Sequence, residues 1–315
     1  MSRADVVVIG GGLRGMRAAA RAMDAEPSAK VLCVEAAASP GDDVQSQRSN
    51  GFVCELGPFA FTQEEVEAWL GPLRARPRVV TAATETGWMF DGKELRKLRV
   101  EPTPCSFATG CEEVVQAYRR QLGDALRLGR EVVAVRPRDG AGFAVELGGE
   151  VPAEVEADRV VVATPAPAAC RFFEPFEPEL SQVAARTTRE HRAFVWLGCI
   201  AKQAPELVGY GVLPHPSLEG PVAEMIFCTE VFPNRAMRER TLVRVELDVA
   251  EPACADDALE ALAESELRRW TGTEAPFGFR KVHRFTTLTP DGDATECATR
   301  VAEILTRVPG LSAAP

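Results

Sequence analysis

The sequence predicts an α/β protein: a Rossmann-like dinucleotide-binding unit with a second, mixed-sheet α+β unit inserted into it. Three observations carry this. An apolar run, Val6-Val7-Val8-Ile9, breaks into a G-x-G-x-x-G turn. A helical stripe, a second strand and a carboxylate follow in order, ending at Glu35. From 175 to 249 the pattern changes to short strands, one of them alternating apolar and polar residues.

Four consecutive β-branched residues at 6–9 have the composition of a strand buried on both faces. In the turn, Gly10 allows the sharp reversal, Gly12 lets backbone approach a pyrophosphate, and Gly15 lets the helix pack close to the strand. Met16, Ala19, Ala20 and Met23 then recur at helical spacing as a narrow apolar stripe. The amide groups and positive dipole end of that helix, with Leu13 and Arg14 in its first turn, suit an anion. Val31-Leu32-Cys33-Val34 is the second strand. Glu35 lies where a βαβ unit places the acid that grips ribose hydroxyls. A carboxylate there opposes a 2′-phosphate and favours FAD or NAD over NADP.

The chain has 315 residues, 46% of them hydrophobic, enough for one large domain or two intertwined ones. Its net charge of −10 disfavours a nucleic-acid partner and an anionic membrane surface. No apolar run is long enough to span a bilayer. The first strand starts too near Met1 for a cleavable signal. Nine dispersed cysteines without a C-x-x-C read as free thiols of a reducing cytoplasm, not as a disulfide framework or zinc site. His191, His215 and His283 fit no metal-ligand spacing, so no metal is expected and each reads as a structural or surface residue.

Residues 36–43 are a loop by their Pro, Gly and Asp content. Gly51-Phe52-Val53-Cys54-Glu55-Leu56-Gly57-Pro58 reads as a short strand entering a turn. Asp91-Gly92 predicts a hairpin, and so does Asp139-Gly140 between strands at 131–135 and 143–147. Val114, Tyr118 and Leu122 mark a helical stripe. Residues 157–163 form a buried strand ending at Thr164-Pro165. In the second unit, Val243, Val245, Leu247 and Val249 share one face of a strand, with Arg244, Glu246 and Asp248 on a face expected to meet solvent. Leu259, Ala263, Leu267 and Trp270 predict an amphipathic helix. Asp293 with Glu296 predicts a capping box opening the last helix. Taken singly, each apolar strand is ordinary sheet core.

Taken together, the glycine turn with its acid, the G-F-x-x-E-L-G-P run at 51–58, and the A-D-x-V-V-x-A-x-P run at 157–165 resemble the flavin-dependent amine oxidases, most closely the protoporphyrinogen oxidase branch. Gly209-Tyr210-Gly211-Val212-Leu213-Pro214 and Val231-Phe232-Pro233-Asn234-Arg235 are similar to that family's substrate-domain strands. The resemblance implies an FAD-binding domain from 1–75, 106–170 and 275–315, and a reduced substrate-type domain from 76–105 and 171–274. It implies that Gly10, Gly12, Leu13, Arg14, Gly15, Glu35 and Ala36 hold the FAD pyrophosphate and ribose. Gly41 would approach the flavin side, Arg48 the flavin, Val133 the adenine through its backbone, and Ala163 and Pro165 the cofactor's flank. Three departures stand out. Asp42 replaces the second of two glycines usual in the loop. The substrate-pocket insertion after Leu98 is almost gone. The family's flavin-closing strand, glycine turn and helix are expected after residue 311 and are not in the sequence.

These observations imply an FAD-dependent oxidoreductase that oxidises a tetrapyrrole or an amine by hydride transfer to flavin, with no catalytic side chain assigned because the flavin takes the hydride. A second chain, or a second copy, completing the flavin site is a further expectation. The alternative is a non-catalytic, flavoprotein-like chain serving interaction or regulation. An NAD-dependent dehydrogenase fits less well, for want of a suitable His/Asp arrangement. The composition points to the cytoplasm, or to its membrane periphery.

Overall fold

Val6, Val7, Val8 and Ile9 are each at most 3% exposed. They lie in the strand Ser2–Ile9 (β1), which pairs in parallel with Val31–Val34 (β2) on one side and Ala153–Val162 on the other. The computed structural model, which describes residues 2–149, 152–250, 253–289 and 291–314, extends this core into a seven-stranded sheet. Phe143–Leu147 and Val132–Pro137 continue it antiparallel beyond Ala153–Val162, and Leu126–Arg127 closes the other edge beside β2. The helix Leu13–Ala25 (α1) and the helix Glu112–Leu122 cover one face. Helices Ala166–Phe172, Leu180–Arg186 and Gly292–Arg307 cover the other. Both faces are therefore apolar, as a buried parallel sheet requires.

The second sheet also has seven strands. Its order is Phe279–Leu288, Arg189–Ile200, Arg240–Asp248, Val222–Phe227, Gly211–Pro214, Thr86–Phe90 and Leu95–Arg99. All pairs are antiparallel except Gly211–Pro214 with Thr86–Phe90, so the sheet is mixed. The predicted helix, observed as Asp256–Thr271, lays Leu259, Ala263, Leu267 and Trp270 on one face of it.

Four expectations change. Phe279–Leu288, expected in the dinucleotide unit from residue 275 on, runs along Arg189–Ile200 in the second sheet. The polar face of Arg240–Asp248 meets solvent only at its ends: Arg240 and Asp248 are exposed, but Arg244 between them is buried, with its guanidinium 4.2 Å from the Phe194 ring centre and 5.5 Å from that of Phe59. That face is closed by residues 52–59 of the first unit, which packs Phe52 and Phe59 against Phe194, Trp196 and Phe232. The last helix is capped by Asp291, whose carboxylate accepts from Ala294 N–H at 2.8 Å; Asp293 and Glu296 instead pair with Arg186. Finally, the segment after Pro309 forms the strand Leu311–Ala313, parallel to Ala153–Val162, so the closing strand expected to be missing has a short counterpart.

The two units are joined by a buried ion pair. Glu55 ends the strand Phe52–Glu55, and Arg235 follows the helical turn Cys228–Val231. Arg235 Nε lies 2.8 Å from Glu55 Oε1, and neither side chain is exposed. Glu55 also accepts from Ser46 Oγ (2.5 Å) and from Cys111 N–H (3.2 Å). Arg235 donates to Ser106 Oγ (2.5 Å) and to the Phe107 carbonyl (3.2 Å). Burial pushes the Glu55 carboxyl up from its ordinary value, while Arg235 and the Ser46 hydroxyl pull the other way. Removing one partner strands a charge in the interior, which costs about 3–5 kcal/mol. Arg235→Met is therefore expected to lower unfolding free energy by about that amount in denaturant titration, and the Glu55→Gln/Arg235→Met double variant by less than the sum of the singles. A loss below about 1 kcal/mol, the value of an exposed pair, would mean that water reaches these charges.

A candidate dinucleotide cleft and the cavity beside it

The glycine turn is knitted to its neighbours largely by backbone. Gly10 N–H donates to Val34 O (2.8 Å), Ala163 N–H to Ile9 O (2.8 Å), and Gly41 N–H to Gly11 O (2.9 Å). Gly10 has φ +107°, which favours glycine. A Cβ at Gly15 would lie 1.8 Å from the Gly10 carbonyl oxygen, so no other residue lets α1 start this close to β1. At Gly12 the nearest atom to an added Cβ is Asp42 Cβ, at 3.6 Å, so its cavity side is open to a ligand. Glu35 fastens the turn from below: its carboxylate accepts Gly11 N–H at 2.6 Å and Ala37 N–H at 2.7 Å.

Three cavities follow one another along this turn. The smallest, about 120 Å³, is lined by Gly10, Glu35, Ala36 and Val132 among others. The second, about 620 Å³, is lined by Gly12, Leu13, Arg14, Gly41, Asp42, Ala163 and Pro165. Thr164 lines both, and its Oγ1 is buried with no hydrogen-bond partner. A buried hydroxyl without a partner is costly, and a ligand oxygen crossing from one cavity to the other would supply one. Open glycine backbone, an orphaned hydroxyl and a carboxylate with lone pairs to spare fit a dinucleotide's pyrophosphate and ribose.

The third cavity, about 600 Å³, lies against the second sheet and shares Asp42, Asp43 and Pro58 with the second. Its wall carries Phe194, Phe285, Arg244, Glu246 and His283. Phe194 and Phe285 have ring centres 4.4 Å apart. Arg244 is occupied: its Nη1 donates to Gly57 O at 2.7 Å. Glu246 accepts from Arg192 at 2.8 Å. Desolvation, then the Asp42 charge, raise the pKa of Asp43; desolvation, then Lys281, lower that of His283, which is therefore neutral at pH 7.

Of the residues expected to bind cofactor, Gly10, Gly12, Leu13, Arg14, Glu35, Ala36, Gly41, Ala163 and Pro165 line the first two cavities, and Gly15 supports them from the helix. Two are placed elsewhere. Arg48 is exposed, donates to the Thr109 carbonyl, and lines none of the three cavities. Val133, expected to act through its backbone, sits at a bulge with its side chain 49% exposed, and its neighbour Val132 lines the smallest cavity. Sequence reasoning did not find Thr164, His283 or Arg244. Thr164 stood in plain view beside Ala163 and Pro165. Arg244 was assigned to a solvated face, and the pairing that brings His283 to the cavity is long-range.

The family model for flavin containing amine oxidoreductases matches residues 63–289, and that for an NAD(P)-binding Rossmann-like domain matches residues 8–72. No curated protein matches the sequence significantly. Among solved structures, a candidate protoporphyrinogen oxidase from Exiguobacterium sp. 255-15 superposes with a TM-score of 0.77 at 16% identity, over 99% of this chain and 93% of that one. Cyclohexylamine oxidase from Brevibacterium oxydans IH-35A gives 0.74 at 13% identity, over 98% and 92%. Reduced UDP-galactopyranose mutase gives 0.74 at 12%, over 99% and 88%. The structural matches share the fold, and the family model spans well over half the sequence: the chain belongs to the flavin containing amine oxidoreductases.

Proposed function

We propose that the chain holds FAD along the glycine cleft and oxidises a small cationic amine in the cavity of about 600 Å³ beside it. The observation that carries this is continuity: the cavities at Glu35, at Gly12 and at Phe194 share walls, first at Thr164 and then at Asp42, Asp43 and Pro58. FAD, when bound, supplies the hydride acceptor. The chain's own part is to position and to exclude water. Glu35 and Ala36 face the ribose end, and Thr164 and the Gly12 backbone the pyrophosphate. The cavity's size suits a small ligand. Its charge favours a cation: Asp42 and Asp43 line it, Glu246 is paired with Arg192, and among the described residues its one arginine is held by Gly57 O. Phe194, already covered by the Arg244 guanidinium, and Phe285 give that wall its apolar surface. A tetrapyrrole, with its acidic side chains, meets no free cation among the described residues of that wall.

One observation favours a second reading, a non-catalytic chain that keeps the fold for interaction or regulation: the Asp42 carboxylate stands beside Gly12.

The purified protein is expected to show flavin's visible absorption after incubation with FAD, and to release FAD on acid treatment. A protein that stays colourless and takes up no FAD overturns the oxidase reading and leaves the second. Thr164→Val is expected to weaken FAD binding about fivefold, in keeping with about 1 kcal/mol for one uncharged hydrogen bond. Equal affinity in the variant would show that Thr164 meets no ligand. In amine-dependent flavin reduction, Asp43→Asn is expected to raise KM about tenfold with little change in kcat, the effect of losing one charge-assisted contact.

A further inference from the structure

Asp42 is an unusual residue to find where it is. Its φ is +56°, in the left-handed region where side chains are disfavoured, and it follows Gly41 at φ +98°. Its Cβ lies 3.6 Å from where a Gly12 Cβ would be, on the wall common to the two larger cavities. The side chain therefore stands over the open backbone that a pyrophosphate would approach. Its carboxylate makes no hydrogen bond or ion pair among the described residues; the residue's one bonded group is its carbonyl, which accepts from Gln45 Nε2 at 2.8 Å. Nothing in the fold needs this carboxylate, and the backbone there is one that glycine would adopt without strain.

The charges around it are mostly of its own sign. Glu35 lies at the end of β2 and Asp43 is its chain neighbour. Across the same cavities stand Glu65 of the helix Gln63–Leu70 and Glu246 of the second sheet. Against these are Arg14 on α1 and Arg244 on the second sheet, the latter held by Gly57 O and the rings of Phe59 and Phe194; His283 is neutral. A dinucleotide brings its own negative charges into this cleft.

We propose that Asp42 opposes the pyrophosphate of the incoming dinucleotide, so that the chain holds it as an exchangeable ligand whose affinity rises as Asp42 takes up a proton. This rests on the flavin reading for the identity of the ligand, but the opposing contact concerns the pyrophosphate alone. The sign follows from linkage. Desolvation and the Glu35 charge already raise the Asp42 carboxyl above its ordinary value in the free protein, and a bound phosphate raises it further. Binding then takes up a proton. Affinity is low at alkaline pH, climbs as pH falls through the bound-state pKa, and levels off below the free-state one.

The test uses the full chain, with adenosine, ADP and FAD as probes, titrated calorimetrically at pH 5.5, 7 and 8.5 against Asp42→Gly and Asp42→Asn. At pH 8.5 both variants are expected to bind ADP and FAD about tenfold more tightly than the unaltered chain, the effect of about one pKa unit of unfavourable coupling. They should also lose most of the pH dependence, with adenosine binding unchanged. The Asp42→Asn variant keeps the side chain's size without its charge, which separates electrostatics from crowding. Equal affinities for ADP and FAD in all three proteins overturn the proposal while leaving the flavin reading standing. Tighter ADP binding by the variants, with FAD bound by none of them, supports the role of Asp42 and overturns the flavin reading. Failure of all three proteins to bind ADP or FAD overturns both.

Discussion

The whole cleft depends on a contact made possible by a missing atom. Because Gly15 has no Cβ, α1 begins against the Gly10 carbonyl, and a methyl group there would sit 1.8 Å from that oxygen. This closeness sets the turn. It brings Gly11 N–H onto Glu35, places Gly41 N–H on Gly11 O, and lets Ala163 N–H bond to Ile9 O. Three segments far apart in sequence thus meet at one corner of the sheet. The cavities on either side of that corner follow from it, as does the wall carried by Thr164.

A second constraint ties this corner to the other sheet. Glu55 and Arg235 belong to different units, are wholly buried, pair as ions, and bond to Ser46, Ser106, Phe107 and Cys111 around them. Around them Phe52 stacks on Phe279 with ring centres 4.6 Å apart. Gly198 gives Phe52 room, since a Cβ there would meet its ring at 2.7 Å. Apolar contact supplies most of the attraction between the units, and the ion pair fixes their register, because a slip would leave charges buried and unpaired. The cavity against Phe194 exists because the two units are held in this one arrangement.

The architecture was largely legible in the residues. Runs such as 6–9 and 160–163 are apolar enough to name themselves as sheet core, and Asp91-Gly92 and Asp139-Gly140 mark hairpins by local chemistry. What was not legible depended on long-range pairing. Arg244 alternates with valines just as a solvated residue would, and only the packing of 52–59 over it makes it a buried one. His283 reached the cavity because its strand pairs with Arg189–Ile200 nearly a hundred residues earlier. Arg48 is drawn away from the cleft by its bond to the Thr109 carbonyl, a contact between segments that no local pattern announces. The glycines and Glu35 were easier, since each answers a requirement of the turn itself.

The cysteines carry a consequence of their own. All nine are free, and eight are buried. Desolvation pushes the thiols of Cys33, Cys54 and Cys228 up to about 12. At neutral pH only on the order of one such group in 10⁵ is ionised, and the thiolate is the form that attacks peroxides and disulfides. Folding therefore leaves these three thiols nearly inert to mild oxidants, with their nucleophilic chemistry locked away for as long as the sheets stay closed.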